Sequence, residues 1–230
     1  MKLLTVILLI AAPMFLQAQT FRIEKVSGTV KVQKGTSETW TEASAGEALG
    51  VNSVIETGKN SSVTLSFKDS RLTLKESSAL PLSRIKRMSI DDLILALAME
   101  DMINAPKKKE ETKSKSTAVY GKEINGAKIP IIQSDNFGVK KLNGAVQLAE
   151  AGFKQSAVVD AKDTYRKYPE VKSIPSFRIY FADILAGFGL NEEAYEEFTA
   201  IKNLKLDKKQ EVTVSGQLKI LSGKLMKKEQ

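Results

Sequence analysis

Apolar and polar side chains alternate through "SVTLSFKDSRLTLKESSAL", residues 62–80, on both sides of a short polar break. Val63, Leu65 and Phe67 share one face of a strand, and Leu72 and Leu74 one face of the next, which predicts a hairpin half buried against a core. The same period runs through "KVSGTVKVQKG", with Val26, Val30 and Val32, and through "VNSVIETGKNSSVTLSF", which turns at Thr57-Gly58-Lys59-Asn60. Short strands separated by glycine, asparagine and serine predict a small all-β unit from about Phe21 to Ile85. Gly28, Gly46 and Gly58 fall where the chain needs positive φ or a close backbone approach.

The period then changes. "SIDDLILALAMEDMINAP", residues 89–106, predicts a helix with Ser89 as N-cap, Asp91 and Asp92 in the first turn and Pro106 as its stop. Ile90, Leu93, Ile94, Leu97 and Met102 supply its apolar face. With four acids and no Lys or Arg over residues 89–103, it is acidic within a basic chain. Such a helix either docks a partner or lies over the open face of the β unit, and the second reading is the expectation. The run "KKKEETKSKST" carries no apolar residue and predicts a linker.

From about Val139 the chain is helical and self-similar. "AVQLAEAGFKQSAVVDAKDTYRKYP" and "ADILAGFGLNEEAYEEFTAI" align with Ala145 on Ala182, Leu148 on Leu185, Ala149 on Ala186, Gly152 on Gly189 and Ala157 on Ala194, an offset of 37 residues. A glycine that ends one helix and a small alanine that lets the next pack close predict two helical hairpins. These resemble tetratricopeptide repeats, with "EVKSIPS" and its Pro175 holding the extra residues. A last helix, about 208–227, puts Val214, Leu218, Leu221 and Leu225 on one stripe, as a cap on a helical stack does.

The β unit carries a second resemblance. The succession "GTVKV", "W", "AGEAL", "VIETGKNSSVTLSFKDSRLTL" and "SSAL" resembles the FecR-type domain of bacterial envelopes. Gly28, Val30, Val32, Trp40, Gly46, Leu49, Ile55, Thr57, Gly58, Val63, Leu65, Phe67, Asp69, Leu72 and Leu74 match by position. Where the family has Asp-Gly-Ser, this chain has Asp69-Ser70-Arg71, so a tighter turn is expected. "TAVYGKE" is a worn version of a stretch such proteins carry after the core domain. The implied fold class is α+β: a small all-β FecR-like domain of short strands, then an α-helical, tetratricopeptide-like hairpin-repeat domain. The expected organisation is a signal peptide at 1–18, the β domain at 19–88, the acidic helix at 89–106, a linker with a short irregular stretch at 107–136 and the helical domain at 137–230.

Composition narrows the function. The chain contains neither histidine nor cysteine. That excludes Ser-His and Cys-His nucleophile pairs, imidazole or thiolate metal sites, c-type haem attachment, iron–sulfur clusters and disulfides. The start "MKLLTVILLIAAPMFLQAQT" reads as an export signal: Lys2 precedes an apolar run too short to span a bilayer, and Ala18 is a suitable small residue before a cut ahead of Gln19. A periplasmic or secreted location follows, with no stable membrane anchor after cleavage. Nothing precedes the leader, so the cytoplasmic anti-sigma arm of FecR regulators is not expected.

Removing residues 1–18 takes away one lysine and leaves a net charge of +7, against +8 for the whole chain. The basic clusters "APKKKEETKSK" and "LMKKEQ" are interleaved with glutamates and lack aromatics, so they read as solvated segments and not as a nucleic-acid surface. "NEEAYEEF" gathers Glu192, Glu193, Glu196 and Glu197 at a helix start, which a solvated, dipole-favoured helix end explains. Asp69 is explained by turn chemistry. Neither a calcium loop nor a phosphate-binding glycine motif occurs. Trp40 and the tyrosines Tyr120, Tyr165, Tyr168, Tyr180 and Tyr195 are spread over different segments. No catalytic, cofactor-binding or metal residue is therefore assigned, no cofactor is expected, and the partner-binding residues stay unassigned.

Two function classes stand. One is a non-enzymatic envelope interaction module whose β unit and helical hairpins meet envelope protein partners. The other is an envelope hydrolase or glycan-binding protein working through carboxylates alone, which requires acids clustered in a concave site.

Overall fold

The computed structural model describes residues 20–104 and 129–227. The expected leader (1–18), the Pro106 stop, the lysine-rich run, "TAVYGKE" with Tyr120, and the last three residues lie outside them. Eight strands come first: β1 (Thr20–Ser27), β2 (Val30–Gln33), β3 (Trp40–Glu42), β4 (Ala48–Gly50), β5 (Val54–Thr57), β6 (Ser62–Phe67), β7 (Ser70–Leu74) and β8 (Ser78–Pro81). They form two antiparallel four-stranded sheets, ordered β4-β1-β6-β7 and β3-β2-β5-β8.

Alternation decides which residues enter the core. Phe21 and Ile23 of β1, Val63 and Leu65 of β6, and Leu72 and Leu74 of β7 are buried from the first sheet; Val30, Val32, Ile55 and Leu80 are buried from the second. The hairpin breaks at Lys68-Asp69, with Lys68 at φ +49°, so Ser70 and Arg71 already belong to β7. Lys68 thus takes the left-handed conformation in a turn that lacks glycine. Gly28, at φ +72°, has no such freedom: a Cβ there would stand 2.4 Å from Ser61 Oγ.

A 3-10 turn at Leu82–Arg84 leads into six helices: α1 (Ile90–Asn104), α2 (Phe137–Glu150), α3 (Lys154–Lys167), α4 (Pro175–Gly187), α5 (Asn191–Ile201) and α6 (Lys208–Met226). The molecule is thus a mixed α+β fold. Helices α2/α3 and α4/α5 are hairpins whose turns match bond for bond. Gly152 and Gly189 both take positive φ, +92° and +78°. Phe153 N–H donates to Leu148 O and Gly152 N–H to Ala149 O; Leu190 N–H donates to Leu185 O and Gly189 N–H to Ala186 O. Each glycine therefore closes a Schellman turn at the 37-residue offset seen in the sequence. A second 3-10 turn, Pro169–Ser173, takes up the extra length, and Pro175 opens α4.

The strands and helices share one core. Helix α2 lies along β8, an edge of its sheet, and Gly144 makes this possible: a Cβ there would stand 2.2 Å from Ala79 O. Side chains of α2 also occupy polar backbone groups near that edge. Asn143 Nδ2 donates to Ser77 O (2.7 Å), Gln147 Oε1 accepts from Lys75 N–H (2.6 Å), and Gln147 Nε2 donates to Ser78 Oγ (2.6 Å). An uncovered strand edge invites pairing with other chains, and α2 closes this one. Aromatic contacts tie the halves elsewhere: Phe67 meets Phe153 at 6.0 Å between ring centroids, and Trp40 meets Phe137 at 5.9 Å. A buried ionic knot completes the joint, with Asp160 on α3 taking Lys141 of α2 at 3.1 Å and Arg84 at 3.4 Å.

Helix α1 departs from expectation. It packs on α3 rather than over an open face of the β unit. Leu93 and Leu97 are buried, but Met102, assigned from sequence to the same face, is 78% exposed. The reason is angular: at about 100° per residue, Met102 falls on the side opposite Leu93.

Candidate functional site

Two features stand out once the core is accounted for: the outward face of α1, and a charged cleft behind it. Ser89 and Asp92 set the helix start as a reciprocal cap, Asp92 N–H donating to Ser89 Oγ (3.0 Å) and Ser89 N–H to Asp92 Oδ2 (3.1 Å). Those hydrogen bonds hold the Asp92 carboxyl below the ordinary carboxylate range. With Leu93 and Leu97 turned into the fold, Leu95 (62%), Met99 (55%), Met102 (78%) and Ile103 (62%) face out. Their spacing of four, three and one places them on a single stripe about 100° wide. These four large apolar side chains form one contiguous exposed face, unlike apolar residues scattered singly over a surface. Asp91 and Asp92 lie at its N-terminal end, and α1 contributes no positive charge to balance them.

The cleft, about 390 Å³, lies between α1, α3 and α5. Its walls carry Glu100 and Asp101 from α1, Lys162, Tyr165 and Arg166 from α3, Arg178 from α4, and Glu193, Glu196 and Glu197 from α5. The four glutamates read from sequence as one solvated helix end therefore divide. Glu192 and Glu196 are exposed, whereas Glu193 and Glu197 are half-buried. Burial works against ionisation of Glu197, but Lys162 and Arg178 (Nη2 at 2.7 Å) outweigh it and keep its pKa lowered. Arg166 bonds both Glu100 (3.1 Å) and Asp163. The pairs of Glu197 with Lys162 and Arg178, and of Glu100 with Arg166, thereby act as struts between helices, while Arg166–Asp163 lies within α3.

Glu193 differs. Burial raises its pKa, and the charges of Glu192, Glu196 and Asp101 push in the same direction. Its Oε2 is buried and accepts no hydrogen bond from the protein; Tyr165 Oη beside the cleft is likewise unpartnered. Burial, reinforced by Glu197, raises the Tyr165 hydroxyl well above its ordinary value. Among the described residues, no group of three or more His, Cys, Asp or Glu side chains is placed to hold a metal ion.

The aromatic residues read as scattered are partly gathered: Phe137 bridges Trp40 and Tyr168, with ring centroids 5.9 and 6.0 Å apart in edge-to-face contacts. Such edge-to-face rings pack a joint between β3 and α2. The α1 stripe was missed in the sequence because "LILALAMEDMI" is apolar on every side, and periodicity cannot say which side is covered. No described helix is long and apolar enough to cross a membrane. Comparison of the chain with protein-family models, curated proteins and solved structures finds no match.

Proposed function

We propose that the chain is an exported, non-enzymatic protein–protein interaction module of the bacterial envelope, acting in envelope sensing or assembly. In this reading the strands form a FecR-like unit and the two matched hairpins a tetratricopeptide-like support. The observation that carries the proposal is the outward stripe of Leu95, Met99, Met102 and Ile103 on a helix packed against α3. A helix face presented to a partner works through anchors at this spacing.

A photo-reactive residue at position 99, introduced in intact cells, tests it. Cross-links to a defined protein species from position 99, and none from exposed Lys31 on the β unit, are expected. Equal, unspecific labelling from both positions contradicts the proposal.

The second reading, a carboxylate hydrolase or glycan-binding protein, draws on the cleft, where Glu193 is the carboxyl with a raised pKa and an unpartnered oxygen. It requires that the purified chain cleave or bind an envelope glycan and that Glu193→Gln abolish the effect.

A further inference from the structure

Helix α6 carries a second uncovered face. Val212 is 74% exposed, Ile220 55% and Met226 68%. Gly216 and Gly223 stand on the same side of the helix, at positions that continue its period, and nothing lies within 4 Å of where either Cβ would be. Glycine is the poorest residue for a helix interior short of proline. Nothing among the described residues requires it at either position. Glycines on an exposed seam shorten the distance at which a second helix can pack, because interaxial separation follows the side chains at the contact.

We infer that α6 of one copy seats on the outward face of α1 of a second copy, so that the chain associates head to tail. The inference rests on the proposal that the α1 face is a contact surface and names its occupant. Large, adaptable side chains (Met99 and Met102 above all) fill the shallow track over the α6 glycines. Charge selects this pairing over the two symmetric ones. Helix α1 carries Asp91, Asp92 and Asp101, with Glu100 already paired to Arg166 of α3; α6 carries Lys208, Lys209, Lys219 and Lys224 against the single acid Glu211. Pairing α1 with α1 sets acid against acid, and α6 with α6 sets lysine against lysine; only α1 with α6 joins opposite signs. Both faces are exposed in the same molecule, so neither covers the other. One is carried by α3 and the other by α5, leaving both available together. A single contact of this kind leaves one face of each type free at the dimer, so it propagates into chains or rings.

Sedimentation velocity of the full chain, purified as the cell processes it, tests the inference. Wild type is expected to grow past the dimer with concentration, with an association weakened roughly tenfold or more in high salt, where surface charges are screened. Met99→Lys removes one face and Ile220→Glu the other; each variant alone is expected to be monomeric, and an equal mixture to stop at dimers. Gly223→Leu, which blocks the seam with an apolar side chain, is expected to behave as Ile220→Glu does. All three positions are exposed, and circular dichroism verifies their folding. A monomeric wild type, a mixture that stays monomeric, or a single-face variant that still self-associates overturns the inference. If association fails while position 99 still cross-links to a different protein in cells, the contact-surface proposal survives without this occupant. If position 99 captures nothing specific either, both fall.

Discussion

Replacing Gly144 with alanine tests the joint on which the whole fold depends. The new Cβ would stand 2.2 Å from Ala79 O and 2.9 Å from Ala79 C, so helix and strand must separate by about 1 Å to restore ordinary contact. That displacement strains three hydrogen bonds at once: Asn143 to Ser77, Lys75 to Gln147 and Gln147 to Ser78. At about 1 kcal/mol net for each, and more for groups left buried without a partner, the loss is about 3–4 kcal/mol. Alanine returns about 1 kcal/mol of helix propensity, leaving a net destabilisation of about 2–3 kcal/mol. For a chain of this size that lowers the melting temperature by roughly 5–10 °C. Urea unfolding followed by circular dichroism measures it, with Gly216→Ala as the control. Gly216 has open space around it, so that substitution is expected to stabilise the isolated chain by about 0.5–1 kcal/mol. If Gly144→Ala behaves like the control, the close approach of α2 to β8 is wrong, and with it the shared core.

The other expectations concern single groups. Asp160→Ala leaves Lys141 buried without its closest counter-charge and is expected to cost about 3–5 kcal/mol in the same urea assay, while an unchanged midpoint would remove the ionic knot from the account. Asp183 is pushed up to about 6 by burial, against the opposing hydrogen bond from Gln217 of α6. The folded chain holds that proton more tightly than the unfolded one, so stability is expected to fall as pH rises from the ordinary carboxylate range through about 6. Asp183→Asn keeps an acceptor for Gln217. It is expected to flatten that slope and gain about 1–2 kcal/mol at pH 8, after discounting for the water that still reaches the group. A slope that survives the substitution would assign it to another group.

The strands were legible because their period is two and only one face is covered. Val63, Leu65, Phe67, Leu72 and Leu74, read as one side of a hairpin, are all buried. The helical hairpins were legible through Gly152 and Gly189, whose positive φ marks a turn that few other residues tolerate. What could not be read is how the halves meet. Gly144 resembles any tolerated helix glycine until Ala79 is placed against it, and Asn143 and Gln147 resemble ordinary polar positions until the β8 edge is placed beneath them. Helix α1 failed for the opposite reason. Its residues are apolar all round, so only the position of α3 decides that Leu93 and Leu97 go in while Met99 and Met102 stay out. The glutamates of α5 were read as one solvated group because the partners that bury Glu197, Lys162 and Arg178, come from two other helices.

Methionine oxidation reports directly on whether the outward face of α1 is used. Hydroxyl-radical footprinting of Met99 and Met102, in intact cells and on the dilute purified chain, compares the same two side chains with and without their surroundings. Rapid oxidation of both is expected in the dilute chain and strong protection of both in cells, with Lys31 and its neighbours on the β unit labelled equally in each. Equal oxidation of Met99 and Met102 in the two settings would contradict the use of this face.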